Sequence, residues 1–357
     1  MKMTRKILIL AGMAMLSGQA AAAQQCDRRY YQPDWDHQPP TVDTYNFVRA
    51  ETDLQFKGYA IKYKAFGRFA HTRKHYDVHK QVTMSGNRDT IYSFGVFDLS
   101  KSPLTITLPD SKGRYMSLMV ISQDHDVYPG VYAPGKWTFT QAEIGTRYIM
   151  VGIRTFADPN DPADLKAAHR LQDAVKVEQK DKGDLSGLAD WNKKQMLKIR
   201  RAFDTLGSSL SDSSTYFGVK CDRSYLRNAM GVAVGWGGMQ KRDALYIPVQ
   251  VPKNDGKTPY VLHVPKDVPI VGNGFWSVTV YNKERYMVPN PRDIYSYNNV
   301  TAKKNPDGSV TIRFGGDPKA DNYIPIVPGW VYLVRMYRPG KAILEGKWTF
   351  PKPQEAK

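Results

Sequence analysis

The segment from Gly274 to Asn282 constrains the fold more than any other stretch of this chain. β-Branched and aromatic residues alternate there with small or polar ones, which is the period-two pattern of a half-buried strand. The alternation predicts that Trp276 and its alternate neighbours face a hydrophobic core. Thr279 and Tyr281 are predicted to lie on the opposite, more polar face of the sheet.

Similar segments separated by turn signals recur along the chain and predict a mainly β fold. Five short strands are predicted between Tyr92 and Phe156, at a spacing typical of a β-sandwich. Five more are predicted between Ala244 and Arg338 with little helix among them, which favours a second sandwich of the jelly-roll type. Helical periodicity is found over Thr41–Tyr63 and again from near Asp158, and the glycine and serine residues from Gly207 to Ser214 predict a linker.

These patterns divide the chain into five segments. They are a signal peptide over 1–23, an extended N-terminal arm over 24–44, a β-sandwich over 45–157, a helical subdomain with linker over 158–214 and a jelly roll over 215–357.

The first 23 residues have the composition of a secretory signal peptide. Lys2, Arg5 and Lys6 precede an apolar run over 7–16, and the run Ala21–Ala23 resembles a cleavage site. The mature protein is therefore predicted to be periplasmic or secreted after cleavage near Ala23. No later segment approaches eighteen apolar residues, so an integral membrane protein is not expected.

The chain is strongly basic, with a formal net charge of +17. Such a charge favours anionic partners, and we expect a polar or anionic small molecule or an envelope glycan. Export and the lack of a nucleic-acid-binding motif argue against nucleic acid. Aromatic residues at sheet edges also serve protein interfaces, so a homo-oligomer is possible.

The chain contains two cysteines, Cys26 and Cys221. Because an oxidising compartment permits disulfides, these two residues are candidates for a bridge between the N-terminal arm and the middle of the chain. Two unpaired thiols are the alternative, since the sequence does not give the Cα separation on which a bridge depends.

One polar cluster is the candidate catalytic site. Asp89 precedes a predicted strand and Asp124 follows another, so both carboxylates reach the same end of the sheet if these strands pair antiparallel. A carboxylate next to His125 can orient the imidazole and raise its basicity, as in general-base pairs. The alternative is structural, because Asn and Asp before a strand commonly cap turns and buried Arg–Asp pairs stabilise folds.

Aromatic and polar residues suggest a ligand site in the cleft between the two β domains. Tyr92, Trp236 and Tyr281 offer flat faces for stacking, and Asn87 and Arg114 can fix the orientation of a ligand. No cofactor is predicted. Packing of the same aromatic residues in the cores is the alternative.

No metal site is predicted, with one weak alternative. His71, His75 and His79 are spaced by four residues, so they would share one face of a helix and could bind a metal. No carboxylate or further histidine is placed to complete such a site.

Two sets of segments resemble known families. The run Asn87–Ser93, with Asp124 and His125, resembles the bacterial family called domain of unknown function 1254. The runs Gly274–Asn282 and Arg335–Pro339 are similar to domain of unknown function 1214, which commonly follows the first in tandem. The resemblance implies an immunoglobulin-like sandwich, a small helical part and a C-terminal jelly roll. It implies no established reaction.

Two hypotheses follow. The first is an exported, cofactor-free protein that binds or hydrolyses a polar envelope-associated small molecule or glycan in the inter-domain cleft. The second is a non-catalytic structural or interaction protein of the periplasm or cell envelope. Whether the protein is an enzyme stays open, and a cofactor-free hydrolase is the enzyme expected.

Overall fold

The computed structural model describes residues 41–81, 83–210 and 215–356, and the fold over these ranges is mainly β. Sixteen strands form four sheets within these ranges, which confirms the prediction of a mainly β fold. The predicted signal peptide, most of the predicted N-terminal arm and Cys26 lie outside the described residues. None of the described helices is long and apolar enough to cross a membrane.

The first half folds as two antiparallel sheets packed face to face. Sheet A has the strand order β1-β2-β7-β4-β5, and sheet B has the order β6-β3-β8. Because successive side chains of a strand point to opposite faces, alternate residues such as Leu104, Leu118 and Val151 form one buried core between the sheets. The strands are β1 (Ala70–His71), β2 (Thr90–Asp98), β3 (Leu104–Leu108), β4 (Met116–Ser122), β5 (Val131–Tyr132), β6 (Gly135–Phe139), β7 (Tyr148–Phe156) and β8 (Lys176–Glu178).

Strand β8 extends the first sandwich beyond the boundary predicted at residue 157. It pairs with β3 from Thr105↔Glu178 to Thr107↔Lys176, although a helix separates it from β7 in the chain. A three-residue edge strand is too short to give a period-two pattern in the sequence, so the pairing of β8 with β3 was not predicted.

The second half is also a pair of packed sheets. Sheet C has the order β12-β11-β15-β9, and sheet D has the order β14-β13-β10-β16. All their pairings are antiparallel except that of β13 with β14. The strands are β9 (Ala244–Val249), β10 (Tyr260–Val264), β11 (Ile270–Tyr281), β12 (Ser296–Asn298), β13 (Val310–Phe314), β14 (Tyr323–Ile324), β15 (Val331–Pro339) and β16 (Gln354–Glu355).

The facing predicted for β11 is confirmed. Trp276 and Val278 pack in the core between sheets C and D with Leu262 and Ile312. Thr279 and Tyr281 lie on the other face of sheet C, which is buried rather than solvent-exposed. The immunoglobulin-like and jelly-roll topologies stay predictions.

Three helices from distant parts of the chain form a bundle beside the sandwiches. Helices α1, α4 and α5 share a buried cluster that includes Phe47, Met196 and Met230. The described helices are α1 (Phe47–Lys57), continued by a π-helical turn over Gly58–Lys62, α2 (Gln141–Ile144), α3 (Pro162–Asp173), α4 (Lys193–Ser208), a 3-10 turn over Lys220–Asp222, α5 (Tyr225–Gly235) and α6 (Lys341–Leu344).

Helix α5 corrects the prediction that residues after 215 are a β domain throughout. Ser224 caps it by accepting a hydrogen bond from the backbone N–H of Arg227. Its glycines lower helix propensity, which hid it in the sequence. Gly207 likewise lies buried inside α4 rather than in a linker. A glycine is needed there because a Cβ would come within 2.8 Å of Val234 on α5.

The two sandwiches meet through the outer faces of sheets A and C, which are the faces turned away from sheets B and D. Tyr115 and Phe156 from the first half pack against Phe275 and Tyr337 from the second. Across this interface, the centroid of the Phe275 ring lies 5.2 Å from that of Tyr115 and 5.1 Å from that of Phe156. This aromatic contact holds the two polar faces beside each other and leaves a cavity next to it.

Candidate ligand site between the two sandwiches

A cavity of about 650 Å³ lies where sheet A, sheet C and helix α5 meet. Strands β2 and β7 contribute Tyr92 and Arg154 to its wall. Strands β9, β11 and β15 contribute Tyr246, Tyr281 and Arg335, while α5 and the segment before it form a third wall. The cavity therefore occupies the cleft between the two β halves in which a ligand site was expected.

The lining of this cavity is positively charged. It includes the basic residues Lys74, Arg154, Arg285 and Arg335, and no aspartate or glutamate among its described residues. Because low-dielectric walls focus the field of like charges, such a cleft attracts anions.

Arg154 has no carboxylate partner within the described residues. It lies on the outer face of β7, directly beside Tyr92 on β2 and Ser117 on β4. Its guanidinium carbon is 5.5 Å from the centroid of the Tyr92 ring, and its Nη1 is 3.8 Å from Sδ of Met119. A guanidinium carries five N–H donors and stays charged, so most of its donors are available at the cavity wall.

Arg335 is buried and hydrogen-bonded to several protein groups. Its Nη1 donates to Oγ1 of Thr279 at 2.9 Å, and its Nη2 donates to the carbonyl of Ser85 and the hydroxyl of Tyr281, each at 2.7 Å. Its charge is also opposed by the nearby Asp89 carboxylate. Arg335 therefore contributes positive potential to the cavity, while most of its hydrogen bonds go to the protein.

Asn87 connects two tyrosines of the cavity wall. Its Oδ1 accepts a hydrogen bond from the backbone N–H of Asp89 at 2.8 Å, which fixes the orientation of the amide. Its Nδ2 therefore faces the hydroxyls of Tyr92, at 3.0 Å, and Tyr337, at 3.1 Å, and Oγ1 of Thr90 at 3.0 Å. Both phenolic oxygens act as acceptors toward Asn87.

The electrostatic environment of Tyr92 follows from these neighbours. Burial raises the pKa of Tyr92, but the Arg154 guanidinium and hydrogen bonds from Thr90 and Asn87 outweigh it, so the pKa lies below its usual value. The group is thus in a field that favours negative charge.

Asp89 is fully buried between the two halves rather than exposed in the cavity. Its carboxylate accepts hydrogen bonds from Ser277 at 2.6 Å and from Asn298 at 3.4 Å, both on sheet C. Burial raises its pKa, and the charge of Arg335 opposes that rise. Asp89 therefore joins the start of β2 to sheet C.

Asp124 and His125 lie elsewhere, between sheet A and the helical bundle. Asp124 forms ion pairs with Arg49 and, at 2.9 Å, with Lys220. Nε2 of His125 is 3.0 Å from the backbone N–H of Gly237, and because that group can only donate, the lone pair of Nε2 is occupied. Burial and the Arg223 charge hold the pKa of His125 well below its usual value.

The predicted convergence of Asp89, Asp124 and His125 is therefore wrong. Neither carboxylate is hydrogen-bonded to the imidazole in the part of the chain that the structure describes. His125 has a positive φ of 56°, which sends its side chain away from that of Asp124 and toward Asn228 and Gly237.

The predicted ligand-binding residues divide into two groups. Asn87, Tyr92 and Tyr281 line the cavity. Arg114 does not, because it pairs with Asp164 and donates to a backbone carbonyl at 2.8 Å. Trp236 packs beside the cavity lining, where its ring lies 5.4 Å from that of His125 and its Nε1 donates to a threonine at 3.2 Å.

Four further residues of the site were not predicted: Arg154, Tyr246, Arg335 and Tyr337. The two arginines carry a recognisable signal, since Arg154 is the single charged residue of β7 and Arg335 lies among apolar and aromatic residues within β15. A charge at such a position must be paired or face a cavity, because an isolated buried charge is costly.

The weak histidine metal site is also wrong. His71 lies in β1, where its Nδ1 is 2.7 Å from Oγ of Ser93, and His75 lies in a loop, where its Nε2 is 3.0 Å from a backbone carbonyl. His79 is exposed, and the segment is not helical. The described residues contain no group of three or more His, Cys, Asp or Glu side chains that could hold a metal ion.

Cys221 is a disulfide-bonded cysteine. Cys26, the other cysteine of the chain, lies outside the described residues, so the pairing of these two residues stays a prediction.

Family models match two regions of this chain. Residues 66–179 match the family model "Protein of unknown function (DUF1254)", and residues 250–341 match "Protein of unknown function (DUF1214)". No curated protein matches the chain.

Two solved structures resemble this chain, and the first of them shows the same fold. The VPA0106 protein from Vibrio parahaemolyticus is 18% identical with a TM-score of 0.65, and the match covers 88% of this chain and 98% of that protein. An uncharacterized protein from Burkholderia cenocepacia is 11% identical with a TM-score of 0.49, over 96% of this chain and 94% of its own. The first likeness concerns the fold alone, and the family matches identify this chain as a member of the tandem family in which a DUF1254 domain is followed by a DUF1214 domain.

Proposed function

We propose that this protein binds a small anionic molecule in the cavity between its DUF1254 and DUF1214 domains. The observation that carries the proposal is Arg154, which faces the cavity with no carboxylate partner among the described residues. Because a charge removed from water needs a counter-charge, an anionic ligand completes this site.

Both domains contribute to the cavity. Tyr92 and Arg154 belong to the DUF1254 region, whereas Tyr281, Arg335 and Tyr337 belong to the DUF1214 region. Ligand sites are common at such domain interfaces, and here neither domain forms the cavity alone. This arrangement gives a physical reason for the two domains to occur together.

Binding is favoured over hydrolysis. Between the described residues of the lining, no side-chain hydroxyl is hydrogen-bonded to a histidine or a carboxylate, which is the arrangement that activates a nucleophile. A neutral glycan is also a weaker candidate than an anion, since it offers no counter-charge to four cations.

The proposed location is the periplasm or the exterior of the cell. The composition of residues 1–23 supports export, and the disulfide at Cys221 is typical of an oxidising compartment. For the two sandwiches, the immunoglobulin-like and jelly-roll types remain the proposed topologies.

The proposal is tested by thermal shift and calorimetry with paired compounds. Each anion, an aliphatic or aromatic carboxylate or an organic phosphate, is compared with a neutral alcohol or amide of the same shape. We expect anions to raise the Tm of the wild type in proportion to their occupancy and the neutral partners to have little effect. Arg154→Gln should abolish the shift, whereas Arg201→Gln, at an exposed position on α4, should retain it.

Equal binding by Arg154→Gln and the wild type would contradict the proposal. A failure of every anion to bind the wild type would instead favour the non-catalytic structural or interaction protein.

A further inference from the structure

We infer that the ligand is amphipathic, with an oxyanion head group bound by Arg154, Tyr92 and Tyr337 and an apolar body against the remaining cavity wall. This inference rests on the proposed function and specifies the chemical class of the ligand. The head group is a carboxylate or a phosphate ester, because both present negatively charged oxygens that accept hydrogen bonds.

The hydroxyls of Tyr92 and Tyr337 are suited to donate hydrogen bonds to an oxyanion. Tyr92 and Tyr337 each accept a hydrogen bond from Nδ2 of Asn87, so each keeps its own O–H proton for another acceptor. Neither hydroxyl donates to an acceptor among the described residues. The amide of Asn87 thus holds two phenols with their O–H groups available for an oxyanion.

The guanidinium of Arg154 lies beside the ring of Tyr92. Arg154 and Tyr92 are paired residues of neighbouring strands, and the charge of Arg154 acts on the hydroxyls of Tyr92, Tyr246 and Tyr337. A planar guanidinium forms paired hydrogen bonds to carboxylate or phosphate oxygens. Tyr246, which lines the same cavity, makes no hydrogen bond through its hydroxyl within the described residues.

The cavity lining changes from polar to apolar along β15. Alternate residues Tyr337, Arg335, Leu333 and Val331 line the cavity in that order, from polar to apolar. At about 3.3 Å per residue, the apolar end lies about 13 Å from Arg335. The helical side of the cavity adds further apolar residues, among them Phe217 and Val234. An acid with a hydrocarbon body fits such a wall better than a small inorganic anion.

The test uses four probes and the full mature protein. Octanoate and octyl phosphate carry both parts of the ligand, acetate carries a head group alone, and octan-1-ol carries a body without charge. By calorimetry, octanoate or octyl phosphate should bind at least about tenfold more tightly than acetate and octan-1-ol, as expected when apolar burial adds to a charged hydrogen bond. The tighter of the two identifies the head group.

Variants then locate the head group. Tyr92→Phe and Tyr337→Phe should each weaken the tighter probe by about tenfold, because each removes one hydrogen bond to a charged group. Tyr260→Phe is the matched control, since Tyr260 is a buried tyrosine on β10, in the core between sheets C and D and outside the cavity lining. Its Kd should stay within about twofold of the wild type. Tyr92→Phe alone is decisive if Tyr337→Phe does not fold.

The possible failures are distinguishable. Unchanged Kd values in Tyr92→Phe and Tyr337→Phe, together with loss of binding in Arg154→Gln, would overturn the head-group assignment and leave the proposed function intact. Acetate or octan-1-ol binding as tightly as octanoate and octyl phosphate would overturn the amphipathic class. No binding of any anion to the wild type would overturn both proposals.

Discussion

Two buried polar clusters differ in how their charges are paired. One lies around Asp124, between sheet A and the helices, and the other lies around Arg154, between the two sandwiches. Around Asp124, each carboxylate has a cation: Asp124 pairs with Arg49 and Lys220, and Asp126 pairs with Arg223. Around Arg154, the described residues supply tyrosines and no carboxylate. The comparison teaches that a balanced cluster stabilises the fold, whereas an unbalanced one is suited to a ligand.

The largest expected effect comes from breaking the balanced cluster. Asp124→Ala removes the carboxylate that Arg49 and Lys220 share, so two cations lose a buried partner. We expect the free energy of unfolding in urea to fall by about 3–5 kcal/mol. Asp173→Ala is the control, because its pair with Arg73 is largely exposed and should contribute less than about 1 kcal/mol. Similar losses in the two variants would contradict the distinction.

Asp53, a buried carboxyl group on α1 near Arg49, is expected to make the free energy of unfolding depend on pH. Asp53 accepts hydrogen bonds from Gln123 and Trp191, and burial raises its pKa to about 6 despite the nearby Arg49 charge. Since the folded state then holds this proton more tightly than the unfolded state, stability falls as the pH rises through the window between the two pKa values.

The measurement compares Asp53→Asn with the wild type across that window. Between about pH 4.5 and pH 7.5, the wild type should lose about 2 kcal/mol relative to the variant, whose side chain does not titrate. A constant difference in unfolding free energy between the two proteins across this pH range would show that burial does not raise the pKa of Asp53.

The smallest expected effect on stability belongs to the unbalanced cluster. Arg154→Leu removes a cation that has no carboxylate partner among the described residues, so no ion pair is lost. We expect the unfolding free energy in the absence of ligand to change by less than about 0.5 kcal/mol or to rise. A loss comparable to that of Asp124→Ala would reveal that Arg154 is a structural residue.

The facing of β11 and the positions of Asn87 and Tyr92 could be predicted from the sequence because they depend on local patterns. The alternation around Trp276 fixed which face of β11 packs in the core, and the position of Asn87 and Tyr92 before and within β2 placed them at the cleft. Periodicity does not specify which outer face meets which, so the packing of Tyr115 and Phe156 against Phe275 and Tyr337 was not predicted.

The candidate catalytic residues were misjudged for a physical reason. Asp124 and His125 are adjacent in sequence, which suggested a carboxylate–imidazole pair, but the turn directs them to different partners. Arg154 was overlooked because its significance lies in a missing partner, and only the three-dimensional arrangement shows which cations are paired. Helix α5 was missed because Gly231 serves close packing against Tyr216 and Phe217 rather than a turn.

The most direct test of the central claim is a crystal structure of the protein with 4-bromobenzoate, in which the anomalous signal of bromine gives the orientation of the ligand. The account predicts the carboxylate within hydrogen-bond distance of Arg154 and at least one of the hydroxyls of Tyr92 and Tyr337, with the bromine toward the apolar wall. A carboxylate bound away from Arg154, or an empty cavity at saturating ligand, would contradict it.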